Sequence, residues 1–95
     1  MIIKNANIFT AEHRFAKGDA AVADGRFADP SDWKEENGQV LDAEGLYMIP
    51  GLVDIHFHGC MGADMCDGTK EALDVITKYE ASIGVTSVCP ATMTI

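Results

Sequence analysis

Two imidazoles one residue apart, His56 and His58, close a run of β-branched and aromatic residues, Pro50-Gly51-Leu52-Val53-Asp54-Ile55-His56-Phe57-His58-Gly59. The density of such residues over Leu52–Phe57, with Pro-Gly at the entrance, predicts a strand. Side chains alternate across a strand, so Asp54, His56 and His58 share one face while Val53, Ile55 and Phe57 share the other. Imidazoles at i and i+2 on a strand end can converge on one metal ion while the opposite, apolar face packs against helices. An H-x-H pair is short and recurs freely, and it describes two solvated or hydrogen-bonded histidines equally well. The carboxylate of Asp54, one step before the pair on the same face, adds a further ligand type and favours the metal.

The elements that must position this strand divide at Pro50 into halves of different character. Residues 1–49 read as short strands joined by turns: Ile2–Thr10, Asp19–Ala23, then Arg26–Ala28 across an Asp24-Gly25 turn. A polar loop runs from Asp29 to Gly38, with Trp33 expected to plug it onto the sheet. Gln39–Asp42 and Leu46–Ile49 complete five strands, too little to bury much alone. Residues 50–95 read as β–loop–α–β. A glycine-containing loop, Gly59 to Gly68, leads to a helix from Lys70 to Ile83, with Thr69 as N-cap and Glu71 in the first turn. Ala72, Val75, Ile76, Tyr79 and Ile83 form its apolar stripe, and Gly84 falls where a left-handed residue ends a helix. Val85–Cys89 is the next strand, stopped by Pro90. A β–α–β unit implies parallel strands, and two such strands with one helix are not a complete domain. The chain therefore reads as an incomplete α/β fragment.

Composition narrows the classes. A net charge of −8 over 95 residues argues against a nucleic-acid or anionic-membrane surface. No apolar run reaches the roughly 20 residues of a membrane span, and the N-terminus lacks a secretory core. Cys60, Cys66 and Cys89 are odd in number with no C-x-x-C pair, which fits reduced thiols in the cytoplasm. A zinc site on Cys60 and Cys66 has an unusual spacing. His13, between Glu12 and Arg14, reads as a solvated turn histidine. Asp67, before Gly-Thr, reads as a helix-start residue, whereas Asp64 is a candidate for shaping a substrate loop. Met61 and Met65 read as loop packing. The glycine-containing loop lacks the P-loop order.

The run Pro50–Gly59 resembles the first barrel strand of the amidohydrolase superfamily. Gly62-Ala63-Asp64-Met65-Cys66-Asp67-Gly68-Thr69 and Gly84-Val85-Thr86-Ser87-Val88-Cys89-Pro90-Ala91-Thr92 are similar to the two segments that follow H-x-H in the N-acetylglucosamine-6-phosphate deacetylase family. Cys66 stands where that family often has Met or another apolar residue, and Cys89-Pro90-Ala91-Thr92 varies a segment that more often reads Leu-Pro-Thr-Thr. The resemblance implies the start of a (β/α)8 TIM-like barrel over residues 50–95, preceded over 1–49 by part of a small β-sandwich. It implies hydrolysis of N-acetylglucosamine 6-phosphate to glucosamine 6-phosphate and acetate, in amino-sugar catabolism, by a homodimeric cytoplasmic enzyme. His56 and His58 would then be metal ligands, for one or two zinc or iron ions, with Asp54 in supporting hydrogen bonds. The general base and remaining ligands would come from outside these 95 residues, leaving no catalytic residue here and the fragment inactive alone.

Two other readings remain. The same fold and metal could serve a cyclic-amide hydrolase or a deaminase, whose first strand also carries H-x-H. A non-catalytic metal-binding or interaction module would instead fold cooperatively as the 95-residue chain.

Overall fold

The computed structural model describes residues 1–34, 36 and 38–93. Glu35 and Asn37, in the expected polar loop, and Thr94 and Ile95, after the last strand, lie outside the described residues. The chain is mixed α/β, mostly strands with one helix, and forms two compact units, Met1–Pro50 and Gly51–Ile95.

The first unit is a five-stranded sheet built around β1 (Ile2–Phe9). Its antiparallel neighbour is β2 (Phe15–Ala23), which turns back through Asp24-Gly25 into β3 (Arg26–Ala28). Both turn residues have positive φ (51° and 73°), the geometry whose twist matches that of the flanking strands. On its other side β1 pairs in parallel with β4 (Val40–Asp42) and, further along, β5 (Tyr47–Met48). Strand β2 begins at Phe15 rather than Asp19, because Phe15, Ala16 and Lys17 extend the ladder opposite Phe9, Ile8 and Asn7. Pairing across the sheet here overrides the weak strand propensity of Lys17-Gly18.

Between Ile3 and Ala6 the ladder slips by one residue. Asn5 sits in the bulge with φ 63°, a conformation that Asn tolerates through local hydrogen bonds. Its freed N–H donates to Asp19 Oδ1 (2.9 Å) and its side-chain amide to Asp42 Oδ1 (3.0 Å). Ile2 and Ala6, on either side of the bulge, are both buried and join Ala21 and Ala43 in a small core. Trp33 follows the short 3-10 turn Pro30–Asp32, is half-buried, and caps a cavity of about 120 Å³ shared with Ala21, Ala23 and Ala28.

The second unit starts with β6 (Leu52–Phe57), at the limits its residues predict. The expected loop after it instead contains a small hairpin, β7 (Gly59–Cys60) and β8 (Ala63–Asp64), turned by Met61 and Gly62 at positive φ. A 3-10 turn, Met65–Asp67, leads to helix α1 (Lys70–Ser82). Thr69 is its N-cap, with Oγ1 accepting from the Ala72 N–H (3.2 Å), and Gly84 at φ 90° follows its end. Strand β9 (Val85–Pro90) then pairs in parallel with β6.

The buried line of α1 is Ala72, Ile76 and Glu80, not the five-residue stripe expected from spacing. Val75, Tyr79 and Ile83 are exposed, as are Val53 and Ile55 on the apolar face of β6. The cause is the hairpin: α1 packs on β7, β8 and β9 rather than across β6, which rotates its contact line toward an i, i+4, i+8 row. Glu80 is thereby carried inward, with Oε2 buried and unpartnered among the described residues.

Candidate metal centre

Strand β6 is not a regular strand at the histidines. From Asp54 to Phe57 it advances three residues while β9 advances two, Val88 to Pro90. The extra residue lies at Ile55–His56, and such bulges re-aim side chains beside functional sites. The His56 N–H is received by Asp54 Oδ1 at 3.0 Å. Asp54 thus hydrogen-bonds the backbone of the candidate ligand rather than its ring. The same device serves Asn5 and Asp19, where a carboxylate takes the N–H of a bulged residue.

His56 and His58 come together. Their ring centroids are 5.0 Å apart, at 87° to each other. Two imidazoles holding one tetrahedral ion at roughly 2.0–2.1 Å need their centroids about 5 Å apart, so the spacing fits. His58 Nδ1 lies 2.8 Å from the carbonyl oxygen of Ala91. A carbonyl only accepts, so Nδ1 carries the proton and the neutral ring keeps its lone pair on Nε2. That is the state of a metal-binding histidine steadied by an outer hydrogen bond. His56 is exposed and His58 half-buried. Among the described residues no third His, Cys, Asp or Glu joins them in a cluster of three.

Asp64 lies beside this pair but is occupied locally. Its Oδ1 accepts from the Cys66 N–H (2.7 Å), while its own N–H donates to Asp67 Oδ2 (2.9 Å). The two carboxylates form a reciprocal capping box on the Met65–Asp67 turn. Asp67 therefore caps this turn, and Thr69 starts the helix. Chiefly the backbone N–H of Cys66 holds the Asp64 carboxyl below its ordinary value, against a smaller upward push from burial. A carboxyl depressed on folding lends stability that is whole above the ordinary carboxylate range near pH 4 and lost as pH falls through the depressed value. Asp64→Asn should therefore be less stable than the parent at neutral pH, with the gap closing under acid. Parallel urea melts from pH 7 to below about 3 check this, and a gap independent of pH would refute it.

The remaining candidates do not assemble a second centre. Cys60 Sγ faces the Ile76 carbonyl oxygen (4.0 Å), and burial, with a lesser push from the Glu80 carboxylate, raises its thiol. Cys66 Sγ instead meets the main chain of Met93, so the Cys60/Cys66 pair is engaged at two separate places. His13 is exposed in the Thr10–Arg14 turn and stacks on Phe9 at 6.2 Å. An apolar hollow of about 460 Å³ in the first unit is lined by Ile8, Phe27, Met48 and Ile49. Asp19, which also lines it, is already bonded to Asn5. Sequence reasoning missed the Ala91 carbonyl and the bulges; a bonding partner 33 residues away leaves no local signal.

No protein-family model matches the chain. Over 95 residues, 99% of the chain, it is 30% identical to an N-acetylglucosamine-6-phosphate deacetylase of Lysinibacillus sphaericus, of which it covers 24%. Over 62 residues, 61% of the chain, it is 40% identical to an adenine deaminase of Clostridium perfringens, of which it covers 11%. Among solved structures, an amidohydrolase from Thermotoga maritima matches 98% of the chain and 30% of its own length, with a TM-score of 0.63 and 26% identity. The chain spans about a quarter or less of the length of these curated relatives. The family resemblance is thus shown over the whole chain, to an amidohydrolase in structure and to N-acetylglucosamine-6-phosphate deacetylases in sequence.

Proposed function

We propose that this chain is the N-terminal part of a metal-dependent deacetylase that converts N-acetylglucosamine 6-phosphate to glucosamine 6-phosphate and acetate. In this reading residues 1–49 contribute strands to a small β-sandwich and residues 50–95 supply the first β–α–β unit of a (β/α)8 barrel. The complete protein would be a cytoplasmic homodimer acting on a small sugar phosphate, without nucleic acid or membrane.

The chemistry rests on one observation, the convergence of His56 and His58 with Nδ1 of His58 committed to Ala91. They would hold a divalent ion, zinc or iron, alone or as one of two. A bound ion would polarise the amide carbonyl and lower the pKa of a water, the two demands of hydrolysing a poor electrophile at neutral pH. Asp54 holds the bulge that aims His56, and Asp64 holds the turn beside His58. The general base and further ligands would come from other parts of the complete protein.

The substrate choice is supported by the deacetylase match running the full length of the chain, whereas the adenine deaminase match covers 61% of it. The higher local identity of the latter keeps deamination as the second reading. Acetate release from N-acetylglucosamine 6-phosphate and ammonia release from adenine separate them in the complete protein. We expect acetate, abolished by a chelator and restored by zinc or iron, and none from the 95-residue chain alone. Two protein ligands fall short of the three typical of catalytic zinc. Ammonia without acetate would replace this reading with the second.

A further inference from the structure

The residues after β9 are fastened around His58 at three points. The Ala91 N–H donates to the Phe57 carbonyl (2.8 Å), and the Ala91 carbonyl receives His58 Nδ1 (2.8 Å). Two residues on, the Met93 N–H donates to Cys66 Sγ (3.3 Å), and the same thiol donates to the Met93 carbonyl (3.4 Å). Cys66 is itself fixed, by its N–H on Asp64 Oδ1, and the neighbouring Met65 N–H donates to the His58 carbonyl (2.8 Å). The bonds close a ring that runs from His58 through Ala91, Met93 and Cys66 back to His58.

We propose that Ala91–Met93 is a positioning strap, anchored through Cys66, that sets the orientation and the tautomer of the His58 ring. The inference deepens the metal-centre reading and rests on it. A free imidazole rotates about its side-chain bonds and exchanges its proton between two nitrogens; a bond to one main-chain carbonyl removes both freedoms. That carbonyl must itself be held. Ala91 follows the last strand residue and, among the described residues, makes one ladder-like bond, to Phe57, so Met93 supplies the second anchor against fraying. Because the strap acts through main-chain atoms, its side-chain handle is Cys66.

The test uses the complete protein with Cys66→Val, a somewhat larger apolar side chain at an exposed position that removes the bonding, beside Cys66→Ser, which keeps a donor and an acceptor. Met93→Pro removes the N–H from the other end at an exposed position. In metal-free protein, long-range ring correlations by nuclear magnetic resonance report the His58 tautomer, and zinc titration reports affinity. The parent and Cys66→Ser should show the Nδ1-protonated ring alone. Cys66→Val and Met93→Pro should show a mixture and bind zinc about 10-fold more weakly, at the low end of the loss from outer-shell changes. Parent-like tautomer and affinity in both variants would overturn the strap. If His58→Ala leaves zinc affinity unchanged while Cys66→Val still mixes the tautomers, the strap stands and the metal-centre reading falls.

Discussion

Replacing His58 by Ala should strip metal and hydrolytic activity from the complete protein together. Loss of an outer hydrogen bond to a ligand typically lowers metal affinity by about 10–100-fold. Losing the ligand itself removes one of the donor atoms, so the fall should exceed that range. His56→Ala should behave alike, but with one difference. His56 is exposed, and among the described residues it is tied through its N–H and not its ring, whereas His58 is anchored through its ring. The pre-set ring has less freedom to lose on binding, so its removal should cost more affinity. Elemental analysis beside acetate release decides the matter: both single variants with full metal content would retire the pair as ligands.

Gly59→Ala should strongly destabilise the hairpin of the second unit. A Cβ there would lie 2.2 Å from the Ala63 carbonyl oxygen and 2.8 Å from Asp64 Cα. Both are main-chain atoms of the hairpin partner, so no rotamer relieves the clash. The strands must part, and the Asp64 turn and its Met65–His58 bond move with them. Overpacking of this kind costs about 1–3 kcal/mol, occasionally more, and here metal binding should weaken too. Gly62→Ala in the same hairpin meets nothing within 4 Å and bears only left-handed strain, about 1–2 kcal/mol. Urea midpoints of the two variants make the comparison. A Gly59→Ala protein as stable as Gly62→Ala would show that the hairpin is not closely packed.

What the sequence made legible were features set by local chemistry. The limits of Leu52–Phe57, the Asp24-Gly25 turn, the Thr69 cap and the left-handed Gly84 all follow from residues within a few positions of each other. The β7–β8 hairpin was hidden because its strands have two residues each and Met61-Gly62 is not a usual turn pair. The inward turn of Glu80 was hidden because which row of a helix is buried depends on what packs against it. For the candidate site, the histidines could be read from alternation, but their aim could not. Asp54 answers a backbone N–H that only the cross-strand slip sets free, and Ala91 arrives from the far end of β9.

The slip in β6 has a counterpart. Between Leu52 and Val53 it is β9 that carries the extra residue, Thr86, whose side chain fills the space a Cβ on Gly51 would need. The two offsets cancel, so Leu52–Val85 and Phe57–Pro90 both pair across strands of equal length. The lengths of the strands are consequently coupled, like the two scales of a vernier. Dropping a paired residue from either strand alone would shift the pairs beyond it and bring the wrong carbonyl to His58. A matched loss from both would leave the ends aligned, so paired residues can be lost here only together.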